Sequence, residues 1–239
     1  MFRKAIFYFL MFCTFSLQSQ NLQLHFDPRS SIHGKESFQS DYMTATFEMF
    51  KPDQWGSTFM FVDIDFNLSK GNAGMIYAEF SRKFNINDFP LMPLIEYNGG
   101  LGVFEVDDND VGGGYSIPNA YLVGISYPFQ LGNVFMDTYV AYKYNAFKET
   151  SHDVQWTVIW TGNFASDKLT VCGFADLWTE NKSQMNANSE KKVIFLSEPQ
   201  VWYNATSNFS LGSEVKISSN FIQNSEVYIC PTLAVKWNF

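Results

Sequence analysis

Counted back from its last residue, Phe239, the chain alternates between two series of side chains. Trp237, Val235, Leu233, Pro231, Ile229 and Val227 form one, and Asn238, Lys236, Ala234, Thr232, Cys230 and Tyr228 the other. A period of two sends successive side chains to opposite faces of an extended strand. The first face is apolar throughout and the second is mixed. No helical period of any length appears in the chain after its first twenty residues.

The same test works upstream. Over 42–50, Met43, Ala45, Phe47 and Met49 oppose Tyr42, Thr44, Thr46 and Glu48. Over 58–66, Met60, Val62, Ile64 and Phe66 oppose Phe59, Phe61, Asp63 and Asp65. Segments 134–144, 169–180 and 209–218 divide in the same way, and 22–27, 75–84, 92–101, 119–127, 154–164 and 193–204 are further strand candidates. With the terminal strand the total is about twelve, an even number, as single-chain bacterial barrels have.

Ionisable residues fall almost wholly on one face. Lys or Arg on a lipid-facing wall at mid-bilayer costs about 2–4 kcal/mol, so this segregation is what a membrane-spanning barrel requires. A soluble β-sandwich produces the same alternation with its faces reversed. The remaining features separate the two. Aromatics are abundant, charges are scarce, and apolar residues are interleaved with Ser, Thr, Asn and Gly rather than gathered into core-like runs. An aromatic residue closing an alternating C-terminal strand resembles the signal by which outer-membrane barrels are recognised for assembly. Phe239 therefore implies the barrel-assembly machinery as a partner. At the other end, Arg3 and Lys4 precede an apolar stretch, 5–15, too short to span a membrane, followed by small and polar residues. That is a secretory signal peptide over 1–19, with the barrel over 20–239. Phe12 before Cys13 is the wrong residue for lipoprotein cleavage. The address is the outer membrane of a Gram-negative bacterium, with its lipids as surroundings.

Connections alternate in length. Those over 28–40, 67–74, the Gly- and Asp-rich 102–118, 146–153 and 181–192 are long, while 51–56, 128–133, 165–168 and 205–208 are turn-sized. Long outer loops and short periplasmic turns are the barrel habit, which puts the mature N-terminus in the periplasm. Pro199 and Pro231 fall mid-strand, where a closed barrel offers no free edge, so a bulge or a lost ladder bond is expected at each.

The stretch 42–63 resembles the Tsx-type family of nucleoside-specific outer-membrane channels. The likeness rests on Tyr42, Glu48 and Phe50, the turn carrying Trp55, then Phe59, Phe61 and Asp63, and it continues through Glu79, Arg82 and Phe84. Phe59 and Phe61 stand where that family carries Tyr. Beyond about residue 85 the similarity is one of architecture. The resemblance implies a narrow, monomeric, twelve-stranded barrel that passes nucleosides.

The inward face suits such a role. Its acids are Glu48, Asp63, Asp65, Glu79, Glu96, Asp137, Asp176, Glu180, Glu198 and Glu214, balanced by Lys143, Lys216 and Lys236. Tyr42, Phe59, Phe61, Tyr77, Tyr139, Phe174, Trp178, Trp202 and Tyr228 interleave with them. Aromatic faces stack planar bases, and carboxylates accept hydrogen bonds from ribose hydroxyls. A net-negative lumen turns nucleotides away and admits neutral nucleosides. The residues expected to line the route are Glu48, Phe59, Phe61, Asp63, Tyr77 and Glu79, on neighbouring strands. The plain alternative for each is a lumen network that only stabilises the wall.

Other chemistries find less support. The histidines are His25, His33 and His152, and the His152–Asp153 pair, set in an outer connection, consists of neighbours that point apart on an extended chain. Catalysis is not expected. No register of Asp107, Asp108, Asn109 and Asp110, before Gly112 to Gly114, supplies both the required Gly and the closing Glu of a calcium loop, so no metal or cofactor is implied. Cys172 and Cys230 show no metal or redox spacing and read as unpaired side chains. A net charge of −8 argues against nucleic acid. The expectation is a passive, selective pore. Its rivals are a closed-lumen barrel working through its outer loops, 102–118 above all, and a soluble periplasmic β-protein.

Overall fold

The computed structural model describes residues 19–239 except 36–39, 88, 108–109, 187 and 222–226. The expected signal peptide, Cys13 included, lies outside the described residues except for Ser19, and so do Asp108 and Asn109 of the acidic run.

Twelve antiparallel strands close on themselves. They are β1 (Ser19–Asp27), β2 (Tyr42–Asp53), β3 (Gly56–Phe66), β4 (Met75–Phe84), β5 (Met92–Asp107), β6 (Asp110–Leu131), β7 (Val134–Asn145), β8 (Ser151–Phe164) and β9 (Leu169–Asn181). Then come β10 in two pieces (Lys191–Ser197 and Gln200–Asn204), β11 (Phe209–Ser219) and β12 in two pieces (Val227–Pro231 and Leu233–Asn238). Each strand pairs with the next in sequence, and β1 pairs with β12 through Asn21 opposite Asn238, Leu24 opposite Val235 and Phe26 opposite Leu233. Phe239 extends this seam by donating its N–H to the Gln20 carbonyl at 3.0 Å. Closure satisfies the backbone groups that an open sheet would leave bare in lipid.

The alternation sorts as expected. Val227, Ile229, Leu233 and Trp237 of β12 are exposed on the outside, and Tyr228, Cys230, Ala234 and Lys236 are buried within. On β7, Val140 and Tyr142 face out, and Asp137, Tyr139, Ala141 and Lys143 face in. Cys172 and Cys230 are free thiols.

The prolines break the strands in different ways. At Glu198–Pro199, β10 is interrupted, and Gly173 on β9 meets it with φ of +149°. A Cβ at Gly173 would stand 2.6 Å from the Glu198 carbonyl oxygen, so the bulge needs glycine. Pro231 sits where β1 has already ended. Helix α1 (Arg29–His33) covers that edge of β12, and His33 donates from Nε2 to the Ile229 carbonyl at 3.0 Å. The expectation that no edge excuses this proline is thus corrected: the barrel rim supplies one.

Two connections also differ from expectation. Residues 102–107 and 110–118 are paired strand rather than loop, with β5 and β6 continuing from Gly102–Tyr115 to Asp107–Asp110 beyond the start of β4. Glu105 ties this hairpin to the β3–β4 connection by accepting from the Ser69 N–H at 2.8 Å and the Ser69 hydroxyl at 2.9 Å. The connection expected over 146–153 ends sooner, since β8 begins at Ser151. His152 therefore lies on the strand and bonds Tyr142 on the outer face, while Asp153 is buried inside.

Candidate functional site

The lumen is asymmetric. Inward residues of β5 to β8, among them Leu94, Glu96, Ala120, Leu122, Tyr139, Ala141, Gln155 and Thr157, are buried. Asn21, Gln23 and His25 of β1 are buried as well, and Trp202 of β10 is 0% exposed. Inward residues of β2, β3 and β4, by contrast, are mostly half-buried, and so are Asp176, Glu198, Glu214 and Lys216 on β9 to β11. The β2–β4 wall and the β9–β11 wall facing it therefore border unfilled space within the barrel.

All six residues expected to line a route stand on the first of these walls. In the β2–β3 and β3–β4 registers, Phe61 is opposite both Glu48 and Glu79, and Asp63 is opposite both Thr46 and Tyr77. Phe59 lies one inward step below, opposite Phe50 and Ser81. The three rings form a ladder, with centroids 6.1 Å apart from Phe59 to Phe61 and 5.9 Å from Phe61 to Tyr77. Asp63 accepts from the Thr46 hydroxyl at 2.5 Å, and Glu48 from Asn21 Nδ2 at 3.0 Å. These bonds hold the two carboxylates against the wall, beside the rings.

Outside the expected route, further lumen residues are tied together, among them Asn21, Gln23 and Gln200, which were not singled out from the sequence. A chain of bonds climbs β1: His25 Nε2 to Gln23 Oε1 at 2.9 Å, Gln23 Nε2 to Asn21 Oδ1 at 2.8 Å, and then Glu48. The Thr232 hydroxyl bonds His25 Nδ1 at 3.1 Å. The indole of Trp202 is wedged between His25, edge-on at 6.0 Å, and the Lys236 ammonium, 4.1 Å above its ring. Gln200 accepts from Trp202 Nε1 at 2.9 Å and donates to Glu214 at 2.7 Å. The alternation of β1 already pointed to its inward polar face. Leu94, Leu122 and Ile194 were hidden because each has apolar neighbours on both sides in sequence, so the local pattern assigns them no face.

The charge balance also needs correction. Beyond the three lysines expected inside, Lys83 pairs with Asp137, Arg29 with Asp27 at 2.5 Å, Lys191 with Asp153 at 2.7 Å, and Lys192 with Glu180 at 3.0 Å. Lys216 pairs with Glu198 at 2.9 Å. These cations stand at strand ends or next to turns, where a face count made mid-strand misses them. Among the described residues, Glu48, Asp63, Asp65, Glu79, Glu96, Asp176 and Glu214 remain outside any ion pair. No group of His, Cys, Asp and Glu among the described residues has metal-ligand geometry.

A groove of about 790 Å³ lies outside the lumen, lined by Leu24, Phe26, Met43 and Phe66 beneath the β3–β4 connection. It belongs to the outer wall near the long-loop rim.

Residues 19–239 match the family model described as a domain of unknown function, DUF5020. The chain belongs to the DUF5020 family. Among solved structures, this DUF5020 barrel is similar to the NanC porin in a rhombohedral crystal form. The two share 10% identity over 92% of this chain and 100% of that one, with a TM-score of 0.56. LpxR from Salmonella typhimurium follows at 9% identity, 92% and 100% coverage and a TM-score of 0.48. OmpT of Vibrio cholerae stands at 10%, 92% and 96%, with 0.44. At 10% identity the NanC likeness speaks for the fold alone, an outer-membrane type of barrel. No curated protein matches the chain. The family model that matches is DUF5020 and carries no Tsx-type identification; the twelve strands that resemblance implied are the twelve observed.

Proposed function

We propose that this DUF5020 protein is a passive, substrate-selective channel in the outer membrane of a Gram-negative bacterium, with nucleosides as its preferred solutes. The observation that carries the reading is the half-buried β2–β4 wall, where Phe59, Phe61 and Tyr77 form a ring ladder flanked by Glu48, Asp63 and Glu79. A planar base stacks on such rings, and bound carboxylates present oxygens to ribose hydroxyls. The surplus of inward acids disfavours phosphorylated relatives. The likeness of fold to the NanC porin supports a pore, and the Tsx-type resemblance over 42–84 supports the solute. No cofactor is needed, flux follows the gradient, and the monomer suffices.

An enzymatic reading gains nothing from the histidines. His25 bonds Gln23 and Thr232, His152 bonds Tyr142 on the outer face, and His33, 3.5 Å from the Cys230 thiol, stands beside a sulfur that is wholly buried.

Liposome swelling tests the proposal. Vesicles carrying the refolded protein should admit uridine and adenosine faster than sugars of similar mass, and should exclude the nucleotides. Equal rates for sugars and nucleosides would remove the selectivity. A second reading, a barrel with a closed lumen acting through the β5–β6 hairpin, draws on the packing around Trp202 and along β5 to β8. Vesicles that stay intact and admit nothing would favour it.

A further inference from the structure

Three acids from three strands converge on the middle of the lumen. Glu79 comes from β4, Glu96 from β5 and Asp176 from β9; they lie within electrostatic reach of one another, with Lys143 near all three and Lys83 near Glu96. None of the three is in an ion pair among the described residues. Lys143 itself donates to Gln155 Oε1 at 2.8 Å and sits 4.5 Å over the Trp178 ring. Lys83 is already paired with Asp137, so Lys143 alone faces three carboxylates and two are left without a counter-charge.

A second observation points to a missing partner. Glu96 is 6% exposed; its Oε2 accepts from the Tyr139 hydroxyl at 2.9 Å, but its Oε1 is buried with no hydrogen-bond partner. Buried polar oxygens are nearly always bonded, and an orphaned carboxylate oxygen calls for a donor or a positive charge. Asp176 is held by the Thr157 hydroxyl at 2.5 Å, leaving its other oxygen to the lumen. Glu79 stands directly opposite Phe61 and two positions from Tyr77, whose ring faces are suited to cations.

We propose that Glu79, Glu96 and Asp176 form a binding site for an organic ammonium, with a small diammonium the best match in charge. The carboxylates lack the close grouping a metal ion needs, so the fitting cation is larger than a bare ion. Its ammonium groups donate to the open carboxylate oxygens while its methylenes lie against Phe61 and Tyr77. This deepens the channel reading and rests on it, since Glu79 and the rings of Phe61 and Tyr77 belong to the same β2–β4 wall, and it adds amine-bearing solutes to those that pass or bind there.

The test is calorimetric titration of the full refolded chain in detergent with 1,4-diaminobutane, using 1,4-butanediol as the neutral control. The diamine should bind with one-to-one stoichiometry and the diol should not. Glu79→Gln and Asp176→Asn, each checked for a folded barrel by heat-modifiable gel mobility, should each weaken binding at least tenfold. Glu190→Gln, in the β9–β10 connection, should leave it unchanged. No diamine binding to the wild-type barrel, or equal binding by folded Glu79→Gln and Asp176→Asn, overturns the proposal. Reversal potentials across a salt gradient separate the two readings. A conducting pore with no diamine binding and no cation preference ends this inference and spares the channel. Diamine binding to a barrel that never conducts supports the site and ends the channel.

Discussion

At the scale of single residues, the lumen is a mixture of fixed and available groups, and the two kinds predict different mutants. Phe61 stands at the centre of the ring ladder, opposite both Glu48 and Glu79, so it contributes the most stacking surface. Replacing it with Ala should raise the nucleoside concentration needed for half-block of the current by about tenfold, given about 1–3 kcal/mol for stacking a base. Trp202 belongs to the fixed kind. Wedged between His25 and Lys236, it fills part of the cross-section. Trp202→Ala should increase single-channel conductance and lower stability by about 3–5 kcal/mol, read from urea unfolding in lipid vesicles. The inward carboxylates and aromatics of β2 to β4 were legible in the sequence, because strict alternation with charged residues on one side assigns each a face. Polar partners such as Gln200 and Gln155 were not, since amides sit on either face of a strand without announcing which.

At the scale of elements, the period of two located every strand, while strand ends depended on features that alternation does not encode. The β5–β6 hairpin is the clearest instance. Three glycines and a run of acids over 107–114 read as a loop, yet the backbone stays paired because hairpin hydrogen bonds persist where side-chain pattern is lost. Pro231 is the reverse case: a residue that appeared misplaced mid-strand stands where β1 gives way to α1. Turns are less forgiving. Gly56 closes the β2–β3 turn at φ of +146°, and a Cβ there would lie 1.9 Å from the Lys83 carbonyl oxygen. Gly56→Ala should cost about 1–3 kcal/mol of stability, visible as a lower urea midpoint. On the lipid side, Val140 faces out midway along β7. Val140→Arg should cost about 2–4 kcal/mol in the same assay, whereas in a soluble sandwich an exposed Arg there would be nearly neutral.

For the whole molecule, closure of β1 on β12 and the porin-like fold establish a barrel of the outer-membrane type. Phe239 sits at that seam, and its removal should reduce the amount of assembled protein in outer-membrane fractions while leaving refolding in detergent intact. The central claim is that the half-buried wall of β2 to β4 is a route for nucleosides. Single-channel recording of the refolded protein in planar bilayers, titrated with nucleosides and with sugars as controls, tests it most directly. The account predicts small, stable conductance steps that millimolar nucleosides block and sugars do not. Stable insertion with no conductance, or block that sugars match, would contradict it.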